Sequence, residues 1–239
     1  MTNTVIRWHT ARWLRVSPGA PGIAVMIVFP VVFLLPVEGT GLFSSALEGS
    51  TVLFWLGTFV LAATLGRDSG RPTASFLWVH QKGGSVTDLA LAHWLLDLAF
   101  ALAIAAWWIV GWLAANALRL GAPASYALTL AISAVFLLLI AHSLLFPIAA
   151  AGWSRGVDAL MLLGFLSLVE PFLARTLPAL PQRLLYLVVP PFVDALRAGR
   201  LLDLPASTAA GELLHLIAFP ALAIAAGIWL LHRWRPGAI

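Results

Sequence analysis

The sequence contains no cysteine and few charged residues. Charged residues make up 10% of its 239 residues, whereas apolar residues make up 61%. A soluble domain is about 25% charged, so a soluble fold could not cover this much apolar surface with polar groups. Because cysteine is absent, disulfides and thiolate metal sites are excluded. Together these features predict a protein whose solvent is the lipid bilayer.

Signatures of ATP hydrolysis and of common catalytic sites are also missing. Lys82 is the chain's single lysine, and no G-x-x-x-x-G-K-[ST] phosphate-binding loop occurs. The six histidines are scattered, and no H-E-x-x-H, G-x-S-x-G or paired-carboxylate motif is present. We therefore expect no catalytic residue, metal or cofactor in this chain. The net charge of +4 is interpreted as a topology signal, so no nucleic-acid partner is expected.

Long apolar runs predict one all-α, polytopic transmembrane domain over residues 1–239. A spanning helix needs about 17 to 25 mostly apolar residues. The six segments that we predict to span are 21–37, 50–66, 87–117, 125–151, 157–174 and 211–232. A seventh apolar piece, Leu184–Val193, is too short to span and contains two prolines. Residues 175–210 are therefore predicted to form an external re-entrant or interfacial segment.

The distribution of basic residues predicts the orientation of these spans. Arginine and lysine accumulate in cytoplasmic segments of membrane proteins. With six spans, nine of the 14 basic residues fall on the side that holds both termini, and the other five fall on the opposite side. We therefore expect both termini, and the loop after the second span, to be cytoplasmic.

Residues 1–18 are predicted to form a cytoplasmic helix that lies on the membrane surface. On such a helix Val5 and Trp13 share one face, whereas Arg7 and Arg12 lie on another. Aromatic residues on one side and arginine on the other suit the headgroup plane. An anchor that only fixes topology is an equal alternative for its role.

The longest polar stretch, residues 67–86, is predicted to be a structured cytoplasmic loop. Gly66 is interpreted as the cap that ends the second span. Gly83 and the glycine after it break the chain, and Ser85 and Asp88 have the S-x-x-D spacing of a capping box for the third span.

Between these breaks, the sequence "TASFLWVHQK" predicts a helix of about two and a half turns. Phe76, Leu77 and Trp78 are consecutive, so they nearly surround such a helix. Some of them must contact a partner protein, or the helix rests on lipid headgroups; both interpretations stay open.

Polar residues inside predicted spans are candidates for function because they are costly in a bilayer. His93 and Asp97 are four residues apart and share one helix face. They either line a pathway, with a possible response to protons, or lock the third span to a neighbouring helix. His142 and His215 are interpreted as hydrogen-bonded helix contacts, and Glu170 as a partner of an external arginine.

Tryptophan is abundant, with eleven residues. Trp107, Trp108 and Trp112 cluster toward the outer end of the third span. Because indoles are enriched at membrane–water interfaces, we interpret this cluster largely as an aromatic belt.

The layout resembles the ABC type-2 family, the six-span permease subunits of type V ABC exporters. The family's loop after span two has an acidic residue, a Gly-Thr pair and a short apolar helix; here Asp68, Gly70, Thr73 and Phe76 follow in that order. The segment "LLYLVVPPFVDAL" is similar to the proline-containing stretch before the family's last span. The resemblance implies an exporter permease of the bacterial inner membrane that moves a hydrophobic or amphipathic substrate. It also implies a second permease chain, identical or homologous, and contact with membrane lipid.

The resemblance further implies a role for the loop. In that family the loop helix is a coupling helix, which docks into a separate ATP-binding cassette ATPase that holds ATP and Mg. The residues this assigns to the ATPase contact are Arg67, Asp68, Arg71, Thr73, Phe76, Leu77 and Trp78. Two alternatives stay open: the membrane subunit of a haem exporter for cytochrome c maturation, which shares six spans and an "AHW" near the start of span three, and a non-transporting scaffold or assembly factor.

Overall fold

A computed structural model of the chain describes residues 19–34, 45–67, 83–123, 125–153, 155–174 and 189–233, together with residues 81, 178, 181 and 186. The described residues form seven α-helices, without any strand: α1 Gly19–Val28, α2 Ala46–Gly66, α3 Val86–Ala115, α4 Ser125–Ala150, α5 Gly156–Ala174, α6 Phe192–Arg197 and α7 Ala206–Arg233. A 3-10 turn, Phe29–Leu34, follows α1, and another, Ala198–Asp203, follows α6. A π-helical turn, Asn116–Leu120, continues α3. The predicted surface helix 1–18 and most of 67–86 and 175–188 lie outside the described residues.

Four of these helices are long and apolar enough to cross a membrane: Ala46–Gly66, Val86–Leu120, Ser125–Ala150 and Ala206–Arg233. Two shorter apolar stretches, Pro21–Leu34 in α1 and the turn after it and Gly156–Ser167 in α5, occur where the first and fifth spans are predicted. The prediction of an all-α protein is confirmed for the described residues. Six spans stay a prediction, because four helices are both long and apolar enough to cross within the described part of the chain.

Two helices begin earlier than the apolar runs predict. The helix α2 starts four residues before position 50, where Ser45 Oγ accepts a hydrogen bond from Glu48 N at 3.2 Å. The helix α7 starts five residues before position 211, directly after Pro205. In both cases the first turn contains polar residues. Such residues favour the start of a helix, but a search for apolar runs does not include them.

The helix α4 lies at the centre of the fold and packs against α2, α3, α5, α6 and α7. Its side chains Leu138, Leu145 and Phe146 are fully buried. The helix α7 approaches closely at Gly227, where an added Cβ would overlap the Phe146 ring. A glycine is therefore needed at this crossing of α4 and α7.

A proline and two tryptophans attach α1 to α3. Pro30 has no N–H, so the Met26 carbonyl, four residues earlier, lacks the donor that an α-helix would supply. Trp108 Nε1 donates to Met26 O at 2.6 Å, and Trp107 Nε1 donates to Ile27 O at 2.8 Å. The indole of Trp108 thus satisfies the carbonyl that the proline leaves open, and Trp107 adds a second hydrogen bond from α3 to α1.

The interpretation of these tryptophans as an aromatic belt is wrong for Trp108 and Trp112. Both are buried, at 2% and 0% exposure, and Trp112 Nε1 donates to Ser50 Oγ on α2 at 3.3 Å. Trp112 also stacks on Tyr126 of α4 at a centroid distance of 5.7 Å. Their N–H groups bond to neighbouring helices, because a buried indole needs a hydrogen-bond acceptor.

Candidate functional site

The end of the polar loop before α3 matches its predicted capping. Ser85 Oγ accepts a hydrogen bond from Asp88 N at 3.1 Å, which confirms the predicted N-cap of α3. Gly83 has a left-handed backbone (φ 73°) and is exposed, which confirms a chain break at this glycine. Arg67 is exposed immediately after α2. The other residues predicted to contact an ATPase lie outside the described residues: Asp68, Arg71, Thr73, Phe76, Leu77 and Trp78.

Gly66 has a packing role instead of the predicted capping role. It is the last residue of α2 and does not adopt the left-handed conformation of a capping glycine. A Cβ added there would lie 2.8 Å from Leu145 Cδ1 and 3.2 Å from His142 Cδ2. The interpretation of Gly66 as a cap is therefore wrong: a glycine here lets the end of α2 lie directly against α4.

Three polar residues lie inside the helix packing near this contact, and we call them the buried polar layer: His93, Asp97 and His142. His93 and Asp97 on α3 are 1% and 2% exposed, and His142 on α4 is fully buried. His93 and Asp97 are one turn apart and share a face, as their spacing predicts. The charge of Asp97 acts on His142, so the layer joins α3 to α4 electrostatically.

The orientation of the His142 ring is fixed by the backbone of its own helix. Its Nδ1 lies 3.0 Å from Leu138 O, and because a carbonyl can only accept, Nδ1 carries the proton. Its Nε2 makes no hydrogen bond to any residue that the structure describes.

Aromatic side chains join α3, α4 and α7 one helical turn from His142. Trp94 of α3 makes an edge-to-face contact with Phe146 of α4 at a centroid distance of 6.5 Å. Phe146 in turn covers Gly227 of α7. The end of the bundle next to Arg67 therefore holds α2, α3, α4 and α7 together through one continuous set of contacts.

Two points remain, the predicted polar residue Glu170 and the possibility of a bound metal. Glu170 lies near the end of α5, and its side chain is outside the described part of the structure. Within the described residues, no group of three or more His, Cys, Asp or Glu is arranged to hold a metal ion.

A second polar cluster was missed by the sequence analysis. Tyr186 OH donates to Asp194 Oδ2 at 3.0 Å, and His215 Nδ1 lies 3.4 Å from the same oxygen. The rings of Tyr186 and His215 have a centroid distance of 4.4 Å. The sequence predicts a hydrogen-bonded helix contact for His215 but does not identify Asp194 as its neighbour, because Asp194 lies on another helix. The useful signal is Pro190-Pro191, which fixes the backbone just before Asp194.

Comparison with known proteins gives no relative: no family model, no curated protein and no solved structure matches the chain. The class of protein follows from the helices themselves. Four helices long and apolar enough to cross a bilayer indicate a membrane protein.

Proposed function

We propose that this chain is the transmembrane permease subunit of an ATP-binding cassette exporter of the bacterial inner membrane. It would move a hydrophobic or amphipathic substrate, using ATP hydrolysed with Mg in a separate subunit. In this proposal α1 and α5 also cross the bilayer, which gives six spans with both termini in the cytoplasm. Two permease chains, identical or homologous, would form the complete pathway.

The observation that carries the proposal is the contact between Gly66 and His142. It places the end of α2 against the central helix, directly before the longest polar stretch of the chain. The same stretch ends at Ser85, which caps α3. A partner that moves residues 67–85 would therefore act on α2, α3 and α4 together. Because the sequence has no phosphate-binding loop, the energy for this movement must come from another chain.

The buried polar layer supports a mechanical role better than a place on the substrate path. His93 and Asp97 are almost completely buried, whereas a residue that binds cargo in a pathway needs access. A packed layer tends to have discrete arrangements rather than to deform continuously. We propose that it transmits displacement of the loop to the helix bundle.

The exposed faces of the described helices are compatible with an amphipathic cargo. Val25 and Val28 on α1, and Leu56 and Val60 on α2, are each between 58% and 67% exposed. Such a surface is stable against lipid tails or against a second permease chain. A lateral path between two chains, or alternating access, would expose cargo to the same apolar surface.

The proposal is tested by copurification with candidate ATPases that contain a phosphate-binding loop. We expect Trp78→Ala and Phe76→Asp to weaken ATPase binding about 30-fold, as loss of a central aromatic contact does. The control is Trp153→Ala, because Trp153 is 65% exposed in the loop after α4, on the same predicted side. ATP turnover of the complex is measured in parallel.

Unchanged binding and unchanged ATP turnover in both loop variants would contradict the coupling role. An equal loss in the Trp153 control would contradict it as well, because the effect would then not be specific to the loop. Tight, loop-dependent binding without any ATP-driven movement of cargo would favour a scaffold or assembly factor.

A further inference from the structure

A small cavity lies where α5, α6 and α7 meet. Its volume is about 180 Å³, smaller than the roughly 300 Å³ at which pockets for drug-sized ligands begin. Its polar lining comes from three helices and the segment before α6: Ser167, Tyr186, Asp194, Arg197 and His215. The cavity therefore suits a small polar group, held by residues that are distant in sequence.

His215 offers a buried polar group to this cavity. The residue is 8% exposed, and its ring lines the cavity. Its Nδ1 is close to Asp194 Oδ2 at 3.4 Å, but neither ring nitrogen makes a hydrogen bond within the described part of the chain. A buried nitrogen without a partner is unfavourable, so a polar ligand atom would be stabilised here.

The charges around the cavity favour a ligand that carries an amine. Asp194 lines the cavity, and Glu212 on α7 lies within electrostatic range of Asp194 and Arg197. These two carboxylates outnumber the one guanidinium, so the local charge attracts an ammonium group.

Arg197 and the apolar surface around the cavity indicate the other two parts of the ligand, a phosphate and acyl chains. Arg197 is exposed at the edge of the cavity, and a guanidinium binds phosphate well. Leu222, two helical turns from His215 on the same face of α7, is 70% exposed, and Leu162 on α5 is 61% exposed. Acyl chains could lie along these apolar surfaces while a headgroup enters the cavity.

We propose that this cavity, the headgroup site, binds the headgroup of an amine-bearing phospholipid. The ammonium group would contact the Asp194 carboxylate, and the phosphate would contact the Arg197 guanidinium. A ring nitrogen of His215 would donate a hydrogen bond to the headgroup or accept one from it. The site needs only a membrane environment, so it does not depend on an ATPase partner.

The test compares three lipids with identical acyl chains by native mass spectrometry of the purified full-length chain. We expect phosphatidylethanolamine to bind about tenfold more tightly than phosphatidylcholine or phosphatidylglycerol, because a hydrogen bond to a charged group is at stake. The quaternary ammonium of phosphatidylcholine has no N–H to donate, and phosphatidylglycerol has no amine.

Two variants and one soluble probe sharpen the test. Asp194→Asn should remove the preference for phosphatidylethanolamine, whereas Asp158→Asn should keep it, because Asp158 is exposed in the first turn of α5. Soluble phosphoethanolamine should bind at least tenfold more weakly than the lipid, because it lacks the acyl contacts.

Equal binding of the three lipids by the unmodified chain would overturn the proposal, and this comparison needs no variant to fold. Equal lipid preference in Asp194→Asn and Asp158→Asn would also overturn it. Soluble phosphoethanolamine that binds as tightly as the lipid would assign the cavity to a soluble ligand instead. None of these results would bear on the proposed ATPase contact.

Discussion

The hydrogen bond between Trp108 and Met26 allows a quantitative test of how α1 is attached to α3. The donor–acceptor distance is 2.6 Å, and both residues are buried, at 2% and 8% exposure. Trp108→Phe keeps an aromatic ring and removes the N–H donor. Leaving a buried carbonyl open costs about 1–3 kcal/mol in soluble proteins, whereas measured polar contacts between membrane helices average about 0.6 kcal/mol. We expect a loss of about 1–2 kcal/mol in the free energy of unfolding.

Pro30 makes this prediction specific, because it is the reason that the Met26 carbonyl needs an indole. In Pro30→Ala the backbone N–H returns and can donate to Met26 O within the helix. The cost of Trp108→Phe should therefore be about 1 kcal/mol smaller in the Pro30→Ala background. The assay is reversible unfolding in mixed micelles of the two single variants, the double variant and the unmodified chain.

The control for this cycle is Trp153→Phe, because Trp153 is 65% exposed and distant in sequence from both partners. That substitution should cost the same with or without Pro30. If Trp108→Phe costs equally much in both backgrounds, the indole does not replace the N–H that proline lacks, and the reasoning is wrong.

Two further predictions concern the central crossing and the buried polar layer. Gly227→Ala should lower the melting temperature, because the new Cβ would overlap Phe146. Gly211→Ala on the same helix should leave the melting temperature unchanged or raise it, since nothing lies within 4 Å of the added Cβ. A similar shift for both variants would contradict the close crossing. Asp97→Asn should cost about 1 kcal/mol of stability, because it replaces a carboxyl group that is 2% exposed between the packed helices. Asp158→Asn, at an exposed position, serves as its control, and equal unfolding free energies for the two variants would contradict a structural role for the layer.

The positions of the long helices could be predicted because each is a continuous apolar run. The predicted span 125–151 and the helix Ser125–Ala150 differ by one residue. The start of α7 could not be predicted from hydropathy. Its first turn follows Pro205, begins at Ala206 and contains polar residues. Local capping chemistry, rather than membrane burial, determines where such a helix begins.

The candidate site was predictable only where its residues share one helix. The spacing of His93 and Asp97 indicates a common face, but it does not indicate that His142 on α4 lies nearby. Gly66 could serve as a cap or as a close contact, and only the packing of α2 on α4 distinguishes these roles. The cluster of Asp194 and His215 depends in the same way on how α6 meets α7. Such contacts follow from helix packing, which one sequence does not encode in any local pattern.

The central claim is that residues 67–85 face the cytoplasm and dock a separate ATPase. Because the chain has no cysteine, Ser75→Cys introduces its only thiol next to the predicted contact residues without removing one of them. We predict that a membrane-impermeant maleimide labels this thiol in inside-out vesicles, and that the bound ATPase slows labelling severalfold. Arg200→Cys, at an exposed position after α6, should be labelled only from the opposite side. Labelling of the Ser75→Cys chain only from the outside, or at an unchanged rate with the ATPase bound, would contradict the claim.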